Sequence, residues 1–153
     1  MKAALVTGAN KNIGLEIAKQ LAQKGIYVYL GSRNLENGMD AVNKLKAEGI
    51  NNVEVIQLDT TKDASVNHAR TVIGEKTKTL DILINNAGIY GGYPQSAFEA
   101  TAEQFMATFD TNVFGVARVT KAFIDLMKKS PETPYCQCKF QSGLHYFAQR
   151  SGL

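Results

Sequence analysis

Apolar positions along this chain follow two alternating rhythms. Ala3-Ala4-Leu5-Val6, Ile26-Tyr27-Val28-Tyr29-Leu30, Val53-Glu54-Val55-Ile56-Gln57-Leu58 and Leu80-Asp81-Ile82-Leu83-Ile84 are short runs with the length and β-branched content of strands. Between them the apolar residues spread to helical spacing. Ile13, Ile17 and Leu21, with Ala18 beside them, predict a first helix that ends at Gly25. Leu35, Met39, Val42 and Leu45 predict a second, closed by Gly49, and Val66, Ala69, Val72 and Ile73 a third. Thr101-Ala102-Glu103-Gln104 has the form of a capping box. It opens a long helix through Phe105, Phe109, Val113, Val116, Phe123 and Met127. Strand and helix alternating in this way predict a doubly wound α/β fold: a parallel sheet covered on both faces, with right-handed crossovers and strand order 3-2-1-4. The nearly unbroken apolarity of the fourth strand suits a strand buried on both faces.

Composition narrows the class. With 153 residues, 44% of them apolar and 20% charged, the chain makes one ordinary globular domain at most. The net charge of +3 is mild and the 17 basic residues are scattered, so the dense basic stripe of a nucleic-acid binder is missing. No apolar run approaches the ~20 residues of a membrane span. The apolar start carries one lysine and no small-residue cleavage site, and it reads as a first strand rather than a signal peptide. Cys136 and Cys138 are the only cysteines. Their absence elsewhere suits a reducing compartment, and a cytoplasmic location is expected.

Candidate chemistry starts where the first strand ends. Thr7-Gly8-Ala9-Asn10-Lys11-Asn12-Ile13-Gly14 is a glycine-bearing turn between an apolar strand and an amphipathic helix. Such a turn lets the backbone approach a phosphate, and the unpaired first N–H groups of the helix point at the anion. Gly8, Asn10, Lys11, Asn12, Ile13 and Gly14 are therefore the candidate phosphate-binding set. Asn12 stands where a third glycine is expected, and asparagine tolerates the left-handed backbone better than most residues. The same turn without a ligand is the plain structural alternative. After the second strand come Gly31-Ser32-Arg33-Asn34, with no acidic residue to accept from a ribose 2′-hydroxyl. Arg33 could pair with a 2′-phosphate, with Lys11 adding a second positive charge, which favours NADP over NAD. Otherwise Arg33 is a solvated loop arginine. The glycine- and tyrosine-rich stretch from Gly88 to Pro94 follows the fourth strand, at the end of the sheet where open α/β folds bind ligands.

Taken together these motifs resemble the N-terminal half of a short-chain dehydrogenase/reductase. The resemblance covers residues 1 to about 132. It rests on Thr7-Gly8-x-x-x-x-Ile13-Gly14, on Asp59 after the third strand, on Asn85-Asn86-Ala87-Gly88 ending the fourth, and on Asn112 in the long helix. It implies an NADP-dependent oxidoreductase acting on a small carbonyl or alcohol. By the same resemblance Asp59 contacts the adenine ring, and Asn86, Ala87 and Gly88 line the cofactor and steady the sheet. Asn112 would help organise a proton relay. Without the resemblance, Asp59 reads as a strand-end turn residue and Asn112 as a satisfied core amide.

The resemblance stops near residue 132. Members of the family run to roughly 250 residues as one domain. They continue into a fifth strand bearing a serine, then a helix bearing Tyr-x-x-x-Lys, whose tyrosine is the general acid. Tyr135-Cys136-Gln137-Cys138-Lys139 fits Tyr-x-x-x-Lys by letter, but it lies where the fifth strand belongs and is expected to be a decoy. Cys136, Cys138 and His145 make a poor zinc set, with three ligands and no fourth, and no metal is expected.

Back-translation offers a different account of the tail. Residues 132–141 can be written GAR ACC CCG TAT TGT CAA TGT AAG TTC CAR. Deleting one C from the run of four turns them into Glu-Thr-Arg-Ile-Val-Asn-Val-Ser-Ser, a β-branched strand ending in serine. The expectation is an incomplete NAD(P)-binding domain over 1–132, truncated after its fourth strand and helix, with a non-family, disordered tail over 133–153 that is out of frame from residue 134. The fourth strand would then be an exposed edge, and the long helix would keep an uncovered apolar face. That face, over 101–129, is the candidate surface for a homo-oligomer. A non-catalytic nucleotide-binding or dimerising half-domain is the alternative function.

Overall fold

The computed structural model describes residues 1–94, 98–131, 135–139 and 145–148. Elements run β1 Ala3–Val6, α1 Asn12–Gln23, β2 Tyr27–Ser32, α2 Leu35–Ala47, β3 Val53–Gln57, α3 Asp63–Lys76 and β4 Ile82–Asn85. Then come α4 Ala102–Phe109, a π-helical turn Asp110–Phe114, α5 Gly115–Lys128, β5 Tyr135–Lys139 and β6 His145–Ala148. The described strands form one sheet in the order β3-β2-β1-β4-β5-β6. Pairing is parallel from β3 through β5, and β6 returns antiparallel.

β1 sits between β2 and β4, with Leu5 opposite Tyr29 on one side and Leu83 on the other. Its four residues are all buried. Successive side chains of a strand point to opposite faces, and β1 supplies both cores. Ala3 and Leu5 join Leu83, Val66, Ile73, Val119 and Phe123 under α3 and α5. Ala4 and Val6 join Val28, Leu30, Ala18, Ala22, Val42 and Leu45 under α1 and α2. Helices on both faces are why β1 is an unbroken apolar run rather than an alternating one.

Helix ends follow local chemistry. Gly25 and Gly49 leave α1 and α2 at φ +79 and +84, a region that costs glycine no Cβ clash. Asn34 caps α2 by accepting from the Asn37 N–H at 2.9 Å. The capping box at Thr101 and Gln104 forms in both directions. Asp81, buried at the start of β4, accepts from the Ala3 N–H at 2.8 Å and from the Ser130 hydroxyl at 2.6 Å, tying β1, β4 and the end of α5 together.

Three expectations are corrected. The sheet does not stop at β4. β5 pairs along it in register, with Ile82 opposite Tyr135 and Asn85 opposite Cys138, so the backbone groups expected on an open edge are engaged. The long helix forms but is not α-helical throughout, because a π turn at Asp110–Phe114 lies within it between α4 and α5. The buried stripes of α1 and α2 are only in part those expected: Ala18, Val42 and Leu45 are buried as periodicity predicts, but small residues share the contact in place of other large ones. Gly14, Ala18 and Ala22 are buried while Ile13 is 55% exposed; Gly38 and Ala41 are buried while Met39 is 50% exposed. α2 lies so close to the sheet that a Cβ on Gly38 would stand 2.5 Å from Val55 Cγ2.

Residues 132–134, 140–144 and 149–153, on which the expected disorder and part of the shifted frame fall, lie outside the described residues. The side chains of Tyr135, Cys136, Cys138, Lys139 and His145 do too. Among the described residues no helix is long and apolar enough to cross a membrane.

Candidate cofactor-binding site

A cleft of about 330 Å³ opens at the carboxyl ends of the parallel strands. One wall is the turn after β1. Gly8 takes φ +61, and a Cβ there would lie 2.9 Å from the Ala87 Cα, so the turn can press against the end of β4 only as glycine. Asn12 takes φ +50, the glycine-like backbone expected of it. Gly8, Lys11, Asn12, Ile13 and Gly14 all line the cleft. The exposure of Ile13 is thereby explained: its side chain belongs to the cleft wall and not to the core. Asn10 is half-buried in the turn and is not among the lining residues, so the expectation that it contributes is not carried by the geometry.

The turn is laced to β4. The buried Thr7 hydroxyl accepts from the backbone N–H groups of Asn86 and Ala87, each at 3.0 Å. In return the Asn86 side-chain amide donates to the carbonyls of Thr7 at 3.0 Å and Gly8 at 3.1 Å. Asn86, Ala87 and Gly88 also face the cleft. Asn86 therefore ties the end of β4 to the turn after β1.

At the far end, Arg33 follows β2 directly, exposed and on the cleft wall with Lys11. Its neighbours are fixed: the Ser32 hydroxyl donates to the Asn34 carbonyl at 2.7 Å, and Asn34 caps α2. Asp59 lies on the same wall. Its Oδ1 accepts from the Thr61 N–H at 3.0 Å and hydroxyl at 2.7 Å, and its own N–H donates to Ser65 Oγ at 2.9 Å. Asp59 is thus a strand-end turn residue that also faces the cleft.

Asn112 sits in the π turn. Its Oδ1 accepts from the Ile89 N–H and its Nδ2 donates to the Ile89 carbonyl, both at 2.9 Å. The amide pairs with the loop backbone as a neighbouring strand would. A π turn shifts side-chain direction within a helix and is often found at functional sites. Four lining residues escaped the sequence reading: Leu58, Thr60, Thr61 and Thr111. Each lies within two positions of Asp59 or Asn112, but no motif marks it; Ile89 falls in the loop from Gly88 to Pro94.

At the start of α1, Gly14 is so tightly held that a Cβ would lie 2.6 Å from the Gly8 carbonyl. Backbone N–H groups, two cations and a carboxylate around one cleft suit a dinucleotide phosphate ester.

Fold and cleft define a doubly wound α/β protein with an open cleft at the carboxyl ends of its parallel strands. The short chain dehydrogenase family model matches residues 2–133, and the chain belongs to that family of oxidoreductases. It is 38% identical to short-chain dehydrogenase/reductase 1 of Saponaria officinalis, across 83% of this chain and 49% of that protein. Among solved structures it is similar to menthone neomenthol reductase from Mentha piperita, with 34% identity and a TM-score of 0.80, covering 88% of this chain and 58% of that one. It is also similar to an alcohol dehydrogenase from the archaeon Thermococcus sibiricus complexed with 5-hydroxy-NADP, at 34% identity and a TM-score of 0.76, covering 84% of this chain and 54% of that one. The chain spans about half the length of the curated relatives it matches.

Proposed function

We propose that residues 1–132 are the cofactor-binding half of an NADP-dependent oxidoreductase acting on a carbonyl/hydroxyl pair. The observation that carries the reading is one cleft lined by the glycine turn, Lys11, Arg33, Asp59 and Asn112 together. The turn from Gly8 to Gly14 and the start of α1 hold the pyrophosphate, and Lys11 and Arg33 pair with the 2′-phosphate. Asp59 contacts the adenine, while Ala87 and Gly88 leave room along the end of β4. Asn112, whose amide is spent on Ile89, serves the proton relay through the loop it holds. The nicotinamide, when bound, supplies or accepts the hydride. The bound 5-hydroxy-NADP of the Thermococcus sibiricus relative supports the choice of NADP. The scarcity of cysteines supports a cytoplasmic setting.

Binding without turnover is expected of residues 1–153 assayed by themselves, because within them Tyr135–Lys139 stands where a serine-bearing strand belongs. The single-base shift at Thr133 and Pro134 accounts for that. The family match ends at residue 133, and the shifted codons write Ile-Val-Asn-Val-Ser over the span of β5, beside β4. Ile and Val suit an interior parallel strand better than the Tyr-Cys-Gln-Cys-Lys of the present frame. The activity then belongs to the frame-restored protein.

Fluorescence titration with NADPH and NADH, followed by NADPH oxidation with a panel of aldehydes and ketones, tests the reading. Saturable NADPH binding without oxidation is expected; absence of binding would overturn it. Reading the coding DNA through the Thr133 codon tests the frame, which must stay open and encode a later Tyr-x-x-x-Lys.

A second reading has its own observation. Phe105, Met106, Phe109, Val113 and Phe114 are exposed, and α4 buries none of its residues. An apolar face of this kind marks an interaction surface, and a homo-oligomer through 101–129 would cover it. Sedimentation of the chain and of Phe109→Glu distinguishes a monomer from that assembly.

A further inference from the structure

Arg118, on α5, spends three guanidinium nitrogens on three separate segments. Nε donates to Asp63 Oδ1 at the start of α3 (2.6 Å), Nη1 to the backbone carbonyl of Thr60 (2.6 Å), and Nη2 to Asp110 Oδ1 (3.2 Å). Two of these segments line the cleft at separate walls that meet behind it. Thr60 belongs to the turn that carries Asp59, and Asp110 opens the π turn that carries Thr111 and Asn112. The walls are close behind the cleft as well: a Cβ on Gly115 would lie 3.1 Å from Thr60 Oγ1.

Charge alone does not explain the arrangement. Asp63 is 79% exposed, and a pair so open to water contributes little. The Arg118 side chain is only 22% exposed. Partial burial works against its charge, but the bonds to Asp110 and Asp63 outweigh that and raise its pKa above the ordinary arginine value. A rigid planar fork can serve three acceptors in set directions, which the single ammonium of lysine cannot do.

We propose that Arg118 is a positioning residue: it sets the distance between the Asp59–Thr61 turn and the Asn112-bearing π turn, so that a dinucleotide meets both walls of the cleft already spaced. The inference rests on the cofactor reading above. It separates two ligands. 2′,5′-ADP needs only the adenosine wall, with Lys11, Arg33 and Asp59, whereas NADPH needs both walls.

Isothermal titration of each ligand against the full chain and its variants is the test. In Arg118→Met, NADPH affinity should fall about five- to tenfold, the cost of ordering a loosened site on binding, with 2′,5′-ADP changed less than about twofold. Arg118→Lys should show the same selective loss, and guanidinium ion at millimolar concentration, but not sodium at equal ionic strength, should restore NADPH binding to Arg118→Ala. Should the Arg118 variants fail to fold, Asp110→Ala removes the Nη2 contact alone and should give a smaller loss of the same selective kind. Equal weakening of both ligands, or weakening of neither, would overturn the proposal. Failure of the unaltered chain to bind either ligand would instead remove the cofactor reading, and this inference with it.

Discussion

Gly14 and Asn86 stand so close that a Cβ on the glycine would come within 2.4 Å of the Asn86 amide nitrogen. The first helix, the glycine turn and the end of β4 are therefore one packed unit. Asn86 cannot retreat without giving up its bonds to the Thr7 and Gly8 carbonyls, and on the other side the same Cβ would strike the Gly8 carbonyl. Gly14→Ala should cost about 1–3 kcal/mol, the usual cost of overpacking. Thermal melting should show a drop of several degrees, and NADPH binding should weaken along with it. An unchanged Tm would mean that the turn is looser than this geometry.

Asn112 and Ile89 make the reciprocal prediction on the other wall. Asn112→Ala removes both bonds to the Ile89 backbone and should cost about 1–2 kcal/mol. Amide hydrogen exchange at Ile89 should speed up well before the β4 amides respond. Asn112→Asp keeps the acceptor for the Ile89 N–H but sets a carboxylate against the Ile89 carbonyl, and it should be no better than alanine.

Cofactor preference separates the two readings of Arg33. If the guanidinium pairs with the 2′-phosphate, Arg33→Ala should lower NADPH affinity about tenfold or more, the worth of a charge-assisted hydrogen bond, and leave NADH affinity where it was. Lys11→Ala should act in the same direction. Equal binding of NADPH by Arg33→Ala and the unaltered chain would return Arg33 to the solvated surface.

Alkaline stability should report on Tyr27. Burial, then its hydrogen bond to Glu54 (2.9 Å), pushes its pKa up to about 12 from an ordinary 10.0. Between those values the folded chain holds a proton that the unfolded chain has released. The stability Tyr27 contributes is fully present below pH 10 and is lost as pH rises through about 12. Denaturant melts of Tyr27→Phe should show a shallower loss over that window. An identical slope in both proteins would assign the loss to other groups.

Much of this protein was legible in the order of its residues. Four parallel strands in the order 3-2-1-4, the three helices between them, the glycines that end α1 and α2, and the capping box at Thr101 all depend on local periodicity and turn chemistry, which neighbouring residues carry. The left-handed Asn12 was legible for the same reason. Which helix face is buried was legible only in part. Periodicity found Ala18, Val42 and Leu45, but it marks large apolar residues and passed over Gly14, Gly38 and Ala41, through which α1 and α2 approach the sheet, because close packing rewards small side chains at the contact. The reach of Arg118 across Thr60, Asp63 and Asp110, the pairing of Asn112 with Ile89, the π turn between α4 and α5, and the placement of β5 along β4 depend on segments far apart in the chain. No local pattern encodes those distances. The sequence alone determined the family, the glycine turn and the candidate residues; only the tertiary structure decided which of them share a cleft and which distant segments Arg118 ties together.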